Sequence, residues 1–268
     1  MTATSPCCFQ REQVTYVAAE APATPGIWKP VVVVGGIAVV VTLLRFASCP
    51  ATAPVTAVLY NGARDPHPAS SSLALTAVDR SRPIQTVTRE ERDERAGGTR
   101  LDTLDNNDEM AGYASRRTQT PRLDRDRGFS VDVTLRVEAE RHVRRDRAGI
   151  SITVLAEDQR GIELGFWEDA VFAQDGGGPS TLFVHSEEAR IDTRTTTTWR
   201  IDIEGERYRV FADGRPILAG PVRDYRAWTP PLPLFPDAYE QQSSVVVSDN
   251  TTSAAARFVL HAIVATTR

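Results

Sequence analysis

The chain has 268 residues, 41% of them hydrophobic and 25% charged, proportions that are ordinary for a globular protein and set aside a largely disordered chain. A net charge of −4 offers no general attraction for nucleic acid. The three cysteines are Cys7, Cys8 and Cys49, so disulfides do not hold the rest of the chain together. All-β sandwiches often reach ~200–250 residues as one unit, which makes one domain plus an appendage the natural count.

Residues 1–30 are small, polar and proline-containing without an apolar period, and read as an unstructured leader. Val31 to Leu44 (VVVVGGIAVVVTLL) follows, with Lys29 before it and the small residues Ala47, Ser48, Ala51 and Ala53 after it. It is shorter than the ~20 residues of a perpendicular membrane helix and close to the ~7–15 of a signal-peptide core. Residues 31–49 therefore read as a signal peptide or membrane anchor. Phe46-Ala47-Ser48-Cys49 resembles a bacterial lipobox, although Phe46 and Arg45 fit it poorly. A buried valine-rich strand is the alternative.

After a Pro/Ala/Thr linker at 50–54, residues 55–268 read as the globular part. Ala57 to Tyr60 forms a short strand into an Asn61-Gly62 turn. The mixed charge run within Asp79–Arg100, densest from Arg89 to Arg95, lacks an apolar stripe and reads as a surface loop. Leu101 to Met110 holds Asp102, Asp105, Asn106, Asn107 and Asp108, the oxygen-bearing side chains that calcium prefers. Their spacing lacks the alternation of an EF-hand loop, and turn chemistry accounts for the same residues. No cofactor is required, with calcium the one ion the stretch suggests.

From Gly128 the period of two is plain. Phe129, Val131, Val133, Leu135 and Val137 alternate with polar residues, which makes a two-faced strand. Ile150, Ile152 and Val154, then Ile162, Leu164 and Phe166, form a hairpin around the polar turn Glu157-Asp158-Gln159-Arg160-Gly161. Trp199 to Ile203 and Tyr208 to Ala212 pair across Glu204-Gly205, and Asp213-Gly214 is a strong hairpin signal. After a proline-rich loop at Trp228–Pro236, Val245 to Val247 and Phe258 to Val264 supply the last strands. Short strands with Gly and Pro turns and no sustained helical period imply an all-β, two-sheet jelly-roll sandwich.

The ordered strings LYNG (Leu59–Gly62), LDT (Leu101–Thr103), AGY (Ala111–Tyr113), LDRDRGF (Leu123–Phe129), RAGISITVLAEDQRGIELGFWED (Arg147–Asp169), LFVHSEEARIDT (Leu182–Thr193), ILAGPVRDY (Ile217–Tyr225) and SDNTTSA (Ser248–Ala254) resemble a family of exported bacterial proteins, common in cyanobacteria. That family in turn resembles concanavalin A-like, laminin-G-like jelly rolls, and the match covers about Val55 to Ala265. The resemblance implies a concanavalin A-like fold and an exported location, membrane-anchored or secreted, without implying a reaction. Members of the family often carry a C-terminal anchor. This chain ends at Arg268 just after its last strand, which leaves Val31–Leu44 as the segment to contact a membrane.

Three functions fit. A lectin-like module for a glycan or cell-surface polysaccharide would stack sugars on aromatic faces and bond hydroxyls with amides or carboxylates. Its candidate residues are Trp167, Tyr225, Trp228 and Tyr239, with Glu163, Gln174 and His185 as polar partners. Packing explains each aromatic equally well when it is buried. A retaining glycosidase needs two carboxyl groups about 5–5.5 Å apart. Glu163 and Glu168 have the spacing of the E-x-D-x-x-E strand of jelly-roll glucanases, but Gly165 stands at the aspartate position, and five residues apart on a regular strand point to opposite faces. The third reading is an envelope or surface protein whose sandwich binds nothing. The residues favour non-catalytic glycan binding or adhesion.

Overall fold

The computed structural model describes residues 53–79, 90–93, 95, 97–104, 109–175, 181, 183–228 and 239–268. The leader, the apolar run Val31–Leu44, Cys49, residues 105–108 of the acidic stretch and residues 229–238 of the proline-rich loop lie outside the described residues.

In chain order the strands are β1 (Val55–Asn61), β2 (Leu73–Asp79), β3 (Glu90–Asp93), β4 (Gly98–Asp102), β5 (Glu109–Ser115), β6 (Phe129–His142), β7 (Ser151–Leu155), β8 (Arg160–Phe166), β9 (Ala170–Asp175), β10 (Val184–Arg190), β11 (Thr197–Glu204), β12 (Arg207–Ala212), β13 (Arg215–Pro221), β14 (Arg223–Asp224), β15 (Ser244–Asp249) and β16 (Ala254–Thr267). The helical element among the described residues is a 3-10 turn, Pro68–Ser70.

The strands make two antiparallel sheets. The first is ordered β13-β12-β11-β6-β16-β4-β3, with β1 also paired to β16, and the second β10-β9-β8-β7-β15-β5-β2, with β14 on β8. The chain switches sheets between β1 and β2, β2 and β3, β4 and β5, β5 and β6, β6 and β7, β10 and β11, β13 and β14, and β15 and β16. Both sheets bury one face in a shared core, so the domain is a jelly-roll sandwich. Trp199, Tyr60, Tyr113 and Tyr208 are its largest side chains, followed by Phe129, Phe166 and Phe258, and the Trp199 and Phe166 rings meet edge to face at 5.1 Å.

Turn chemistry accounts for the hairpins. Asp213 and Gly214 both take positive φ, 47° and 80°, as a two-residue turn between right-twisted strands requires. The longest ladder joins β6 to β16 from Phe129↔Thr267 to His142↔Ala254, a pairing of segments more than a hundred residues apart in sequence that local signals do not specify.

The charge run differs from its expected loop. Glu90–Asp93 is a strand at the edge of the first sheet, paired with β4. Its charges are used pairwise: the Arg92 guanidinium donates to the main-chain carbonyls of Gly62, Asp65 and Pro66, and Asp93 accepts from Arg100 at 3.0 Å. Charged side chains suit an edge strand because they oppose pairing with another chain. Asp102 serves structure as well, accepting from Arg257 Nε at 2.7 Å and from the Leu104 amide at 3.0 Å.

The two outer faces differ in kind. On the first sheet Arg100, Arg136, Glu138 and Asp93 form an ion-pair lattice, with Arg100 Nε donating to Glu138 at 2.8 Å and Arg136 at 2.7 Å from the same carboxylate. Such surface pairs solvate a face and contribute little each. The outer face of the second sheet is aromatic.

One close approach fixes where the sheets cross over at the β6–β7 connection. A Cβ on Gly149 would lie 2.0 Å from the carbonyl carbon of Ala255. Gly149→Ala is expected to cost about 1–3 kcal/mol by overpacking, read as a lowered midpoint in thermal or denaturant unfolding. A melt equal to wild type would show that β16 is not held against this turn.

Candidate functional site

The site is built by alternation. Along β8, Ile162, Leu164 and Phe166 enter the shared core, so Glu163 and Gly165 face outward. The same rule sends Thr153 outward from β7, between Ile152 and Val154, and Ala170, Phe172 and Gln174 outward from β9. Registers then align these positions in rows. Thr153 pairs with Glu163 and His185 with Gln174, and continuing the Leu164↔Ala173 pairing brings Gln174 opposite Glu163. One row across the sheet thus reads His185, Gln174, Glu163, Thr153 and Val246.

Glu163 is fully buried. Tyr239 donates its hydroxyl to Glu163 Oε2 at 2.5 Å, and Asn250 Nδ2 donates to Oε1 at 2.7 Å and to the Tyr239 oxygen at 2.9 Å. Two aromatic groups flank this carboxyl. The Tyr225 and Tyr239 rings stack at 5.0 Å, and Phe183 and Trp228, both partly exposed, meet edge to face at 4.8 Å beside Tyr239. In the second group Trp167 stacks on His142 at 4.5 Å and Phe172 on His185 at 4.3 Å, with Trp167 touching both Phe172 and His185. Arg147 joins the groups: its guanidinium lies 5.5 Å over the Phe183 ring, while its carbonyl accepts from Trp167 Nε1 at 2.8 Å.

All seven side chains expected from the sequence (Glu163, Trp167, Gln174, His185, Tyr225, Trp228 and Tyr239) therefore gather on this face, in different states. Trp228 is partly buried, with its ring against Phe183 and Tyr239, whereas Trp167, Tyr225 and Tyr239 are at most 7% exposed. His185 sits on β10; its Nδ1 bonds the Arg145 carbonyl at 2.8 Å and its Nε2 meets Glu188 at 2.9 Å. Phe172, Phe183, Asn250 and Thr153 were not singled out by sequence. Phe172 and Thr153 carry a readable signal, the alternation of AVFAQ and SITVL, but Phe183 and Asn250 lie at a strand's entrance and in a turn where no period reaches.

The carboxylate pair does not form. β8 runs against β7 and β9 without a register shift, so no bulge turns a second acid to the face of Glu163. Glu168 lies beyond the strand, its Oε1 accepting from the Glu140 amide on the opposite sheet at 3.1 Å. Gly165 has a packing role, because a Cβ there would come within 2.4 Å of the Phe172 ring. Among the described residues no three His, Cys, Asp or Glu side chains gather to hold a metal ion.

Burial raises the Glu163 carboxyl above its ordinary 4.5, opposed by the hydrogen bonds from Tyr239 and Asn250. In the unfolded chain the group has its ordinary value. The stability tied to Glu163 is therefore full in acid and lost as pH rises through the raised folded value. Glu163→Gln lacks that loss, so its melting temperature relative to wild type should climb as pH rises above about 4.5. A gap that does not change with pH would show that the carboxyl is not desolvated.

No family model and no curated protein sequence matches the chain. Solved structures with a similar outline include the carbohydrate esterase vb_24B_21 of the Shiga toxin-encoding bacteriophage phi24B (10% identity, 72% of this chain and 90% of that one, TM-score 0.46). The potassium-bound carbohydrate recognition domain of Emp46p is similar at 10% identity over 78% and 95%, TM-score 0.45. The laminarinase of Rhodothermus marinus is similar at 13% identity over 81% and 99%, TM-score 0.44. These are likenesses of outline, and what each neighbour binds or cleaves belongs to that neighbour.

Proposed function

We propose that the domain is a non-catalytic glycan-binding module that works through the outer face of its second sheet. The observation that carries this reading is the partly buried Phe183–Trp228 pair packed on Tyr239, which hydrogen-bonds a buried carboxyl on a face of aromatic rings and a few polar groups. Aromatic faces accept the C–H side of a sugar ring, and fixed polar groups next to them set its orientation. Hydrolysis is disfavoured by the same geometry, since Glu163 and Glu168 serve different neighbours and Phe172 fills the place a third acid would need.

Trp228→Ala tests the rim. Loss of one stacked aromatic should cost on the order of 1–2 kcal/mol, about tenfold in affinity, with no change in fold. A glycan array with the purified full chain followed by titration of the best ligand measures it. No binding anywhere on a broad array would leave the sandwich as a surface protein without a sugar ligand, and β-glucan hydrolysis abolished by Glu163→Gln would make the module an enzyme.

We further propose that the module is displayed outside the cytoplasm through Val31–Leu44, on the grounds of that segment's hydrophobicity and flanks. Cell fractionation should recover the chain in membrane or secreted fractions, and full-length uncleaved protein in the cytoplasm would refute export. If Cys49 carries a lipid, Cys49→Ser should release the protein from the membrane fraction.

A further inference from the structure

The row that contains Glu163 holds polar atoms that the fold itself does not use. Thr153 Oγ1 and Gln174 Oε1 have no hydrogen-bond partner, although Thr153 is 0% and Gln174 4% exposed. An unsatisfied buried polar atom is costly, and an apolar residue of the same shape avoids the cost. These two atoms lie on either side of Glu163, one strand away in each direction, so about 5 Å separates each strand position from the carboxyl's. Buried polar atoms without a partner occur elsewhere in the sandwich too, at Trp199 Nε1 and Tyr208 Oη for example, but these two flank one carboxyl in one row. They form a linear set of hydrogen-bonding groups, with an acceptor at Gln174, a carboxyl at Glu163 and a hydroxyl at Thr153.

The charges around the row restrict what it takes. Glu163 is bonded by the neutral groups Tyr239 and Asn250. The nearby Arg223 is buried and already committed, donating to the Gln174 carbonyl at 2.8 Å and to Glu187 at 2.5 Å. Arg147 donates to the carbonyls of Asp146 and Phe183. No uncommitted cation faces the row among these contacts. The charge of Arg147 reaches Glu163 but is already paired with Asp146 at 3.3 Å, so an anionic ligand group would meet a carboxyl with little compensation, whereas hydroxyl groups, which both donate and accept, match all three positions.

We propose that Gln174, Glu163 and Thr153 form a ligand subsite for the hydroxyl groups of an uncharged sugar, covered in the free protein by the Tyr239 side chain and opened when that ring swings away. Over Glu163, Tyr239 and the half-buried Asn250 supply the bonds that ligand hydroxyls would replace. At its other end the row runs out to the half-buried His185 beside Gln174. The proposal rests on the glycan-binding reading and adds to it which sugars are taken and by which atoms.

The test is calorimetric titration of the full chain with neutral hexaoses of β-glucan, mannan and xylan and with an oligogalacturonate, for wild type, Thr153→Val, Thr153→Ser, Gln174→Leu and Trp228→Ala. The subsite predicts binding of a neutral oligosaccharide in preference to the uronate. It also predicts about two- to tenfold weaker binding in Thr153→Val and Gln174→Leu, the range of one lost hydrogen bond. Melting temperatures of those two variants should be unchanged or raised, and Thr153→Ser should bind as wild type does. If Trp228→Ala weakens binding while Thr153→Val and Gln174→Leu bind normally, the row holds only water or serves packing; the subsite is overturned and the rim reading stands. Preference for the uronate overturns the subsite as well. If no probe binds wild type, both fall. Should Thr153→Val fail to fold, Gln174→Leu decides by the same criteria.

Discussion

The hydrogen bonds from Tyr239 and Asn250 to Glu163 exist because β8 commits Ile162 and Leu164 to the core. A strand cannot bury both of its faces in one interior, so a carboxyl placed between two core residues must emerge on the far side. There it meets a second layer of side chains instead of water. A carboxyl buried in this way is tolerated only when its oxygens are bonded, and the pair of donors meets that demand. The neighbouring strands repeat the arrangement, which is why Thr153, Gln174 and Phe172 share the face with it.

Electrostatics separates the two sides of the sandwich. The first sheet presents arginines and carboxylates that satisfy one another, as Arg100 does with Glu138, Asp93 and Glu91. The second sheet presents rings, with its few polar groups drawn beneath them. A side that is already neutralised by its own pairs has little left to offer a ligand, whereas stacked rings with two idle polar atoms below them do. Gly165 illustrates how tightly this face is filled: the Phe172 ring occupies the space that any side chain at that position would need. An acid there would have to displace the ring and the His185 stacked on it.

The site also depends on contacts that are distant in sequence. Tyr239 and Asn250 come from segments 76 and 87 residues beyond Glu163, and they are delivered by β15, which pairs with β7 and β5. Arg223 pins the edge from another direction through the Gln174 carbonyl. Disturbing the β15 pairing would therefore be felt at the carboxyl before it was felt in the core beneath β8.

The period of two in β6, β7, β8, β11 and β12, with turns at Glu204-Gly205 and Asp213-Gly214, was sufficient by itself to determine an all-β sandwich and to say which residues of each strand are core. Alternation and turn conformation are local properties, set by the backbone and the next residue. The same alternation set Glu163 on the face opposite Ile162 and Leu164, and the missing aspartate at Gly165 was legible as a departure from a hydrolase pattern. The strand Glu90–Asp93 was not legible, because its charges read as a solvated run until Gly62, Asp65 and Arg100 are brought to them. Neither were the roles of Phe183 and Asn250, nor the difference between a partly buried Trp228 and a buried Trp167. Those were decided by the tertiary structure alone, since burial and hydrogen-bond partners belong to segments that sequence places tens of residues apart and that only the closing of two sheets over one core brings into contact.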